Sequence, residues 1–122
     1  MKKYETLHLV KSEDLNHHGT LFAARATAWL VEAGFAVAAC EHGNSDEIVL
    51  RGIKDVSFSK PVPKGTVLRY EGQLVQVGNT SLVVCVKVRN AITEELYIEG
   101  HLTFVTIDSN TGEKKVHAVQ RN

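Results

Sequence analysis

Hydrophobic positions along this chain follow two different periods. From Leu21 to Glu41 apolar residues, many of them alanine, run on without proline and with few charges. That length and composition predict a helix of about 30 Å at ~1.5 Å per residue. Its apolar residues fall on almost every side, the mark of a buried helix. His42-Gly43-Asn44-Ser45 ends it, glycine suiting the left-handed position after a helix. Elsewhere the pattern is that of strands. Thr6 to Val10 alternates and predicts a first strand, followed by a polar turn from Lys11 to Thr20. Ile48–Phe58, Val67–Val77, Ser81–Arg89 and Leu96–Asp108 predict four more. Both prolines fall in the loop Lys60–Gly65, and Gly78-Asn79 sits at hairpin spacing. Asn110-Thr111-Gly112 predicts another turn, and the polar tail 113–122 is expected to fray.

Short connections predict antiparallel neighbours. Strands this long, at ~3.3 Å per residue, reach about 30–43 Å, enough for a twisted sheet to curl around the helix. The expected fold class is α+β, a long central helix wrapped by a curved antiparallel sheet. It is expected as one domain over residues 1–122, with its core at roughly 5–108.

Composition narrows the function classes. Fourteen basic and fourteen acidic side chains leave a net charge of zero, which argues against a nucleic-acid partner gripped through its phosphates. Cys40 and Cys85 lie far apart with no Cys-x-x-Cys, so neither a disulfide framework nor a metal site is expected. Met1-Lys2-Lys3 leads into polar sequence rather than a secretory apolar run of ~7–15 residues. Arg25 and Glu32 make the long apolar stretch a poor membrane span. A cytoplasmic chain with reduced thiols is the expectation.

Three sets of residues could carry chemistry. Asn16-His17-His18-Gly19-Thr20 precedes the helix. It reads either as a capped turn or as part of an oxyanion site, because the first helical N–H groups lack internal partners and carry positive potential. A metal at the two histidines is disfavoured, since adjacent side chains are expected to diverge. Glu32 is the lone acid deep in the apolar helix, on a stripe with Arg25, Trp29 and Ala36. That stripe either faces water or is buried at a subunit boundary. Desolvation there would raise the Glu32 pKa and fit it to act as general base or nucleophile. Lys54, Lys60, Lys64, Arg69, Lys87 and Arg89 are either solvated faces or phosphate contacts, aided by the backbone of Gly78-Asn79-Thr80-Ser81. No Gly-x-Gly-x-x-Gly, Walker or Gly-x-Ser-x-Gly sequence is present.

The segment Asn16-His17-His18-Gly19-Thr20-Leu21-Phe22 resembles the hot-dog-fold acyl-CoA thioesterases, in their acyl-CoA hydrolase branch. The likeness continues at Trp29–Gly34, at Val56–Gly65 (the family's Phe-x-Lys-Pro-Val-x-x-Gly), at Val77–Ser81 and at Gly100–Val105. It implies hydrolysis of an acyl-CoA without a cofactor, at the interface of a dimer or dimer of dimers. By this resemblance Asn16 positions thioester or water, and amides at Phe22, Ala23 and Ala24 face the thioester oxygen. Glu32 is the helix acid, and Lys60, Asn79, Thr80 and Ser81 lie near the CoA arm. The family's Gly-Gly is Ala23-Ala24 here, and its catalytic Asp falls at Val31, one residue or about 100° from Glu32. Those departures motivate a second reading, a non-catalytic acyl-CoA binding or sensing module; a hot-dog dehydratase is a third and less favoured one, for want of a matching His–acid pair.

Overall fold

The computed structural model describes residues 2–119. Strand β1 (Lys3–Leu9) is followed by the helix α1 (Ala23–His42). Then come β2 (Ile48–Phe58), β3 (Val67–Val77), β4 (Ser81–Asn90) and β5 (Leu96–Thr106). All strand pairs are antiparallel, in the order β1-β3-β4-β5-β2. The architecture is the hot-dog fold: one long helix and a five-stranded antiparallel curved sheet.

Alternation explains the packing. Leu82, Val84, Val86 and Val88 of β4 are fully buried, as are Leu102 and Phe104 of β5. These residues form one core with Ala26, Leu30, Val37 and Ala38 of α1. Close approach of helix and sheet depends on missing side chains. A Cβ on Gly72 would meet Val37 Cγ2 at 2.6 Å, and one on Gly100 would meet Val56 Cγ2 at 3.0 Å and Leu30 at 3.2 Å. Gly43 closes the helix at φ 93°, donating its N–H to Ala39 at 2.7 Å, as its sequence position predicts.

Several boundaries differ from the sequence expectation. Strand β1 begins at Lys3 rather than Thr6, because its backbone pairs with β3 from Lys3↔Gln73 onward, and polar side chains are tolerated on an edge. The helix begins at Ala23 rather than Leu21: the Leu21 N–H is held by the Val62 carbonyl and the Phe22 N–H by that of Asp14. Nor is α1 buried on every side. Ala24, Ala28, Glu32, Ala36 and Cys40 are exposed in the single chain. By length and composition α1 could cross a membrane, yet its Leu30–Val37 face packs on the sheet as a core helix does. The tail is anchored where fraying was expected. Lys115 Nζ donates to Glu47 Oε2 at 2.7 Å, and the buried His117 sits with its Nε2 3.2 Å from the Ser81 carbonyl oxygen. Residues 120–122 of that tail lie outside the described residues.

Register fixes two ends. Phe58, Ile98 and Val88 align at one end, and Ile48, Thr106 and the start of β4 at Ser81 lie at the other. The seven residue-to-residue steps from Ser81 to Val88 span about 23 Å at ~3.3 Å each. The start of α1 lies at the Phe58 end, where Ala23, Ala26, Phe58 and Ile98 border one cleft.

Candidate active site

The segment before α1 folds on itself. Asn16 N–H donates to the Thr20 carbonyl at 2.7 Å, and Gly19 N–H to the Asn16 carbonyl at 3.1 Å, with Gly19 at φ 80°. The Asn16 side-chain oxygen accepts from the N–H groups of His18 (2.9 Å) and Thr20 (3.2 Å). Its Nδ2 donates to Thr20 Oγ1 at 3.2 Å, leaving a second amide hydrogen available. Asn16 and Thr20 thus shape the turn instead of capping the helix. The N-cap residue is Phe22, without a side-chain cap bond. The first-turn N–H groups from Ala23 onward therefore lack intrahelical partners. The Phe22 amide is already engaged by Asp14, so Ala23 and Ala24 carry the available donors.

A second loop closes the other wall. Thr20 bridges to Pro63, and Leu21 N–H donates to the Val62 carbonyl at 2.9 Å. Between these loops lies a cleft of about 430 Å³. Asn16, His18, Thr20, Ser59 and Lys60 supply its polar groups; Leu21, Phe58 and Ile98 supply apolar wall. His17 and His18 do not diverge as expected: their rings lie 3.9 Å apart between centroids. Lys60 pairs with Glu95, which holds the ammonium pKa above the usual lysine range, so it stays charged at the cleft rim.

Other sequence candidates are elsewhere. Glu32 is exposed, nine residues or about 13.5 Å along the axis from Ala23, and does not line the cleft. Val31, at the position of the family's acid, packs half-buried against the core. Trp29 stacks on His8 at 4.4 Å, a contact joining α1 to β1 that no local sequence signal announces. Burial lowers the His8 pKa, and the nearby charges of Glu32 and Asp14 oppose that shift. Asn79, Thr80 and Ser81 occupy the β3–β4 turn at the far end of the sheet from Lys60. There the Thr80 carbonyl accepts from Thr106 N–H at 2.9 Å. Within one chain, then, the residues expected to bind CoA do not meet. Among the scattered cations, Arg69 and Arg89 both pair with Glu71, and Arg69 also with Glu94.

An uncapped helix start opening into a cleft beside a fixed asparagine is a setting for a polarised carbonyl. Residues 18–97, well over half the chain, match the family described as the thioesterase superfamily. The chain belongs to that family. Among solved structures it is similar to the acyl-CoA hydrolase of Staphylococcus aureus, seen with butyryl coenzyme A, coenzyme A and coenzyme A disulfide. The identity is 28% and the TM-score 0.85, over 94% of this chain and 68% of that one. A hexameric acyl-CoA thioesterase without ligand is 30% identical, with TM-score 0.84 over 94% of this chain and 74% of that one. A 1,4-dihydroxy-2-naphthoyl-CoA thioesterase from Synechocystis shares the fold at 15% identity and TM-score 0.77, over 94% of this chain and 89% of that one. No curated protein matches by sequence.

Proposed function

We propose that this chain hydrolyses acyl-CoA thioesters to free acid and CoA as a self-associated assembly. The observation that carries the reading is the start of α1, whose Ala23 and Ala24 amides remain available beside the cleft holding Asn16 and Lys60. A thioester oxygen placed there gains negative charge as water adds, and donors fixed in advance stabilise that charge without reorganising. Asn16, held by its own turn, offers its remaining amide hydrogen to orient thioester or water. The base is Glu32, brought by a second copy. Two features support that assignment: Glu32 projects from the uncovered side of α1, and among the described residues the outer edge of β2 has no strand partner. A second copy would likewise bring an Asn79-Thr80-Ser81 turn toward the Lys60 end to meet the CoA arm. The similarity to acyl-CoA hydrolases supports the substrate class.

The test is free-thiol release from a panel of short, medium, long and aromatic acyl-CoAs. Glu32→Gln preserves shape and removes the base, and should lower kcat by ~10²–10⁴. Unchanged turnover in that variant would remove Glu32 from the mechanism. Calorimetric binding of acyl-CoA without thiol release would instead favour the non-catalytic module, to which the half-buried Val31 at the acid position points.

A further inference from the structure

Side chains on the outer face of the sheet, away from α1, hold a second cluster. Leu82, Val84, Val86 and Val88 point into the core, so Cys85 points outward; Gly100 and Leu102 face the helix, so Glu99 and His101 point outward too. Cys85 stands directly across from His101, and Glu99 is two residues from His101 on the same face. One ligand atom from each of the three lies within 4.8 Å of the others. We propose that Cys85, Glu99 and His101 form a binding site for a divalent transition-metal ion of the zinc type, joining β4 to β5.

The donor set fits that class. Sulfur and imidazole nitrogen favour zinc-type ions over magnesium or calcium, and one carboxylate completes a three-ligand site. Metal–ligand bonds of about 2.0–2.3 Å in a tetrahedron put ligand atoms about 3.3–3.8 Å apart, so closure by roughly 1–1.5 Å suffices. The surroundings leave these groups underused. His101 Nδ1 is buried without a hydrogen-bond partner among the described residues, and Glu99 has no ion pair there. Such a buried nitrogen calls for an explanation, and an unseen ion is one. Opposing cations are present: Lys87 lies across from Glu99 and Lys54 across from His101. A thiolate and a carboxylate together offset the ion's charge against them. On binding, the Cys85 thiol releases its proton to solvent as the sulfur–metal bond forms, while Glu99 and His101 donate lone pairs and nothing is oxidised. A recess of about 420 Å³, lined by Cys85, Gln73, Lys3 and Lys87 among others, adjoins the site at Cys85 and would give water access to a fourth position.

The experiment titrates Co²⁺, then Zn²⁺, into metal-free full-length protein lacking any histidine tag. The expected result is a sulfur-to-cobalt charge-transfer band, displaced by Zn²⁺, with a Zn²⁺-dependent rise in melting temperature. Cys85→Ser should abolish the band, Glu99→Gln should weaken binding at least tenfold, and Cys40→Ser should leave both unchanged. If Cys85→Ser does not fold, Glu99→Gln at its partly exposed position still decides the matter. Absence of the band in the wild type, its loss with Cys40→Ser, or wild-type affinity in Glu99→Gln overturns the proposal. None of these measurements involves thioester hydrolysis.

Discussion

Replacing Ala23 with proline isolates the helix-start donor from everything else in the site. Ala23 is the first helical residue, so its N–H makes no intrahelical bond and proline removes nothing from the helix ladder. The residue before a proline must be extended, and Phe22 already is, at φ −66° and ψ 126°. Folding stability should therefore change by no more than about 0.5 kcal/mol, a shift of roughly 2 °C in Tm for a domain of this size. The reaction should respond very differently. Loss of one donor aimed at a developing oxyanion costs about 2.7–4 kcal/mol, which is a fall in kcat of ~10²–10³. Ala23→Gly keeps the N–H and makes the matched control, since it alters the first turn without removing the donor. The assay is thiol release at saturating acyl-CoA, with Tm measured on the same samples. An Ala23→Pro variant with wild-type Tm and kcat within about threefold of wild type would refute the oxyanion role of that amide.

Three further outcomes follow from the packing and the ion pairs. Gly72→Ala places a methyl 2.6 Å from Val37 Cγ2, and overpacking should destabilise the fold by about 1–3 kcal/mol in urea unfolding. Tyr70→Phe deletes the buried hydroxyl that donates to the Ala26 carbonyl at 3.0 Å, and should cost about 1–2 kcal/mol by the same measure with the core volume unchanged. The Glu47 carboxylate, hydrogen-bonded by Lys115 and His42, has a pKa held below the usual carboxylate range. A depressed carboxylate contributes its stability above its unfolded pKa of about 4.3 and loses it as pH falls through the lower folded value. Hydrogen exchange of the Lys115 amide, which donates to the Thr106 carbonyl, should thus report looser anchoring of the tail below that pH. The effect should be absent in Glu47→Gln.

The extent of the sheet was readable because its information is local. Alternating branched residues between glycine and proline signals placed β2 and β3 at their observed ends. Where the prediction missed, tertiary bonds had overruled local preference. Asn16 and Thr20 look like helix caps in sequence, yet the turn takes up both side chains, and Phe22 becomes the N-cap because Asp14 holds its amide. The polar tail reads as loose, but one lysine and one histidine reach partners 68 and 36 residues away. Cys85 and His101 are distant in sequence, and only the register of β4 against β5 sets them face to face.

Helix composition was the more instructive signal, because it was right about apolarity and wrong about what covers it. An α1 surrounded by its own sheet would bury all sides. Here the sheet leaves one stripe uncovered: Ala26, Leu30, Gly34, Val37 and Ala38 are buried and Trp29, Val31 and Phe35 half-buried beside them, while Ala24, Ala28 and Ala36 stay exposed around Glu32. Small side chains on that side let another surface approach the backbone closely, and they cost little entropy when covered. An acid among them would be desolvated only once a partner arrives, and that is the condition under which a carboxylate gains basicity. The same requirement appears independently in the cleft, which has donors and an ammonium at hand but no acid in its lining. It appears again in the roughly 23 Å between the Lys60 end and the Asn79–Ser81 turn. For the proposed reaction, one chain falls short of a base, a cover and a CoA contact, and a single second copy would supply all three.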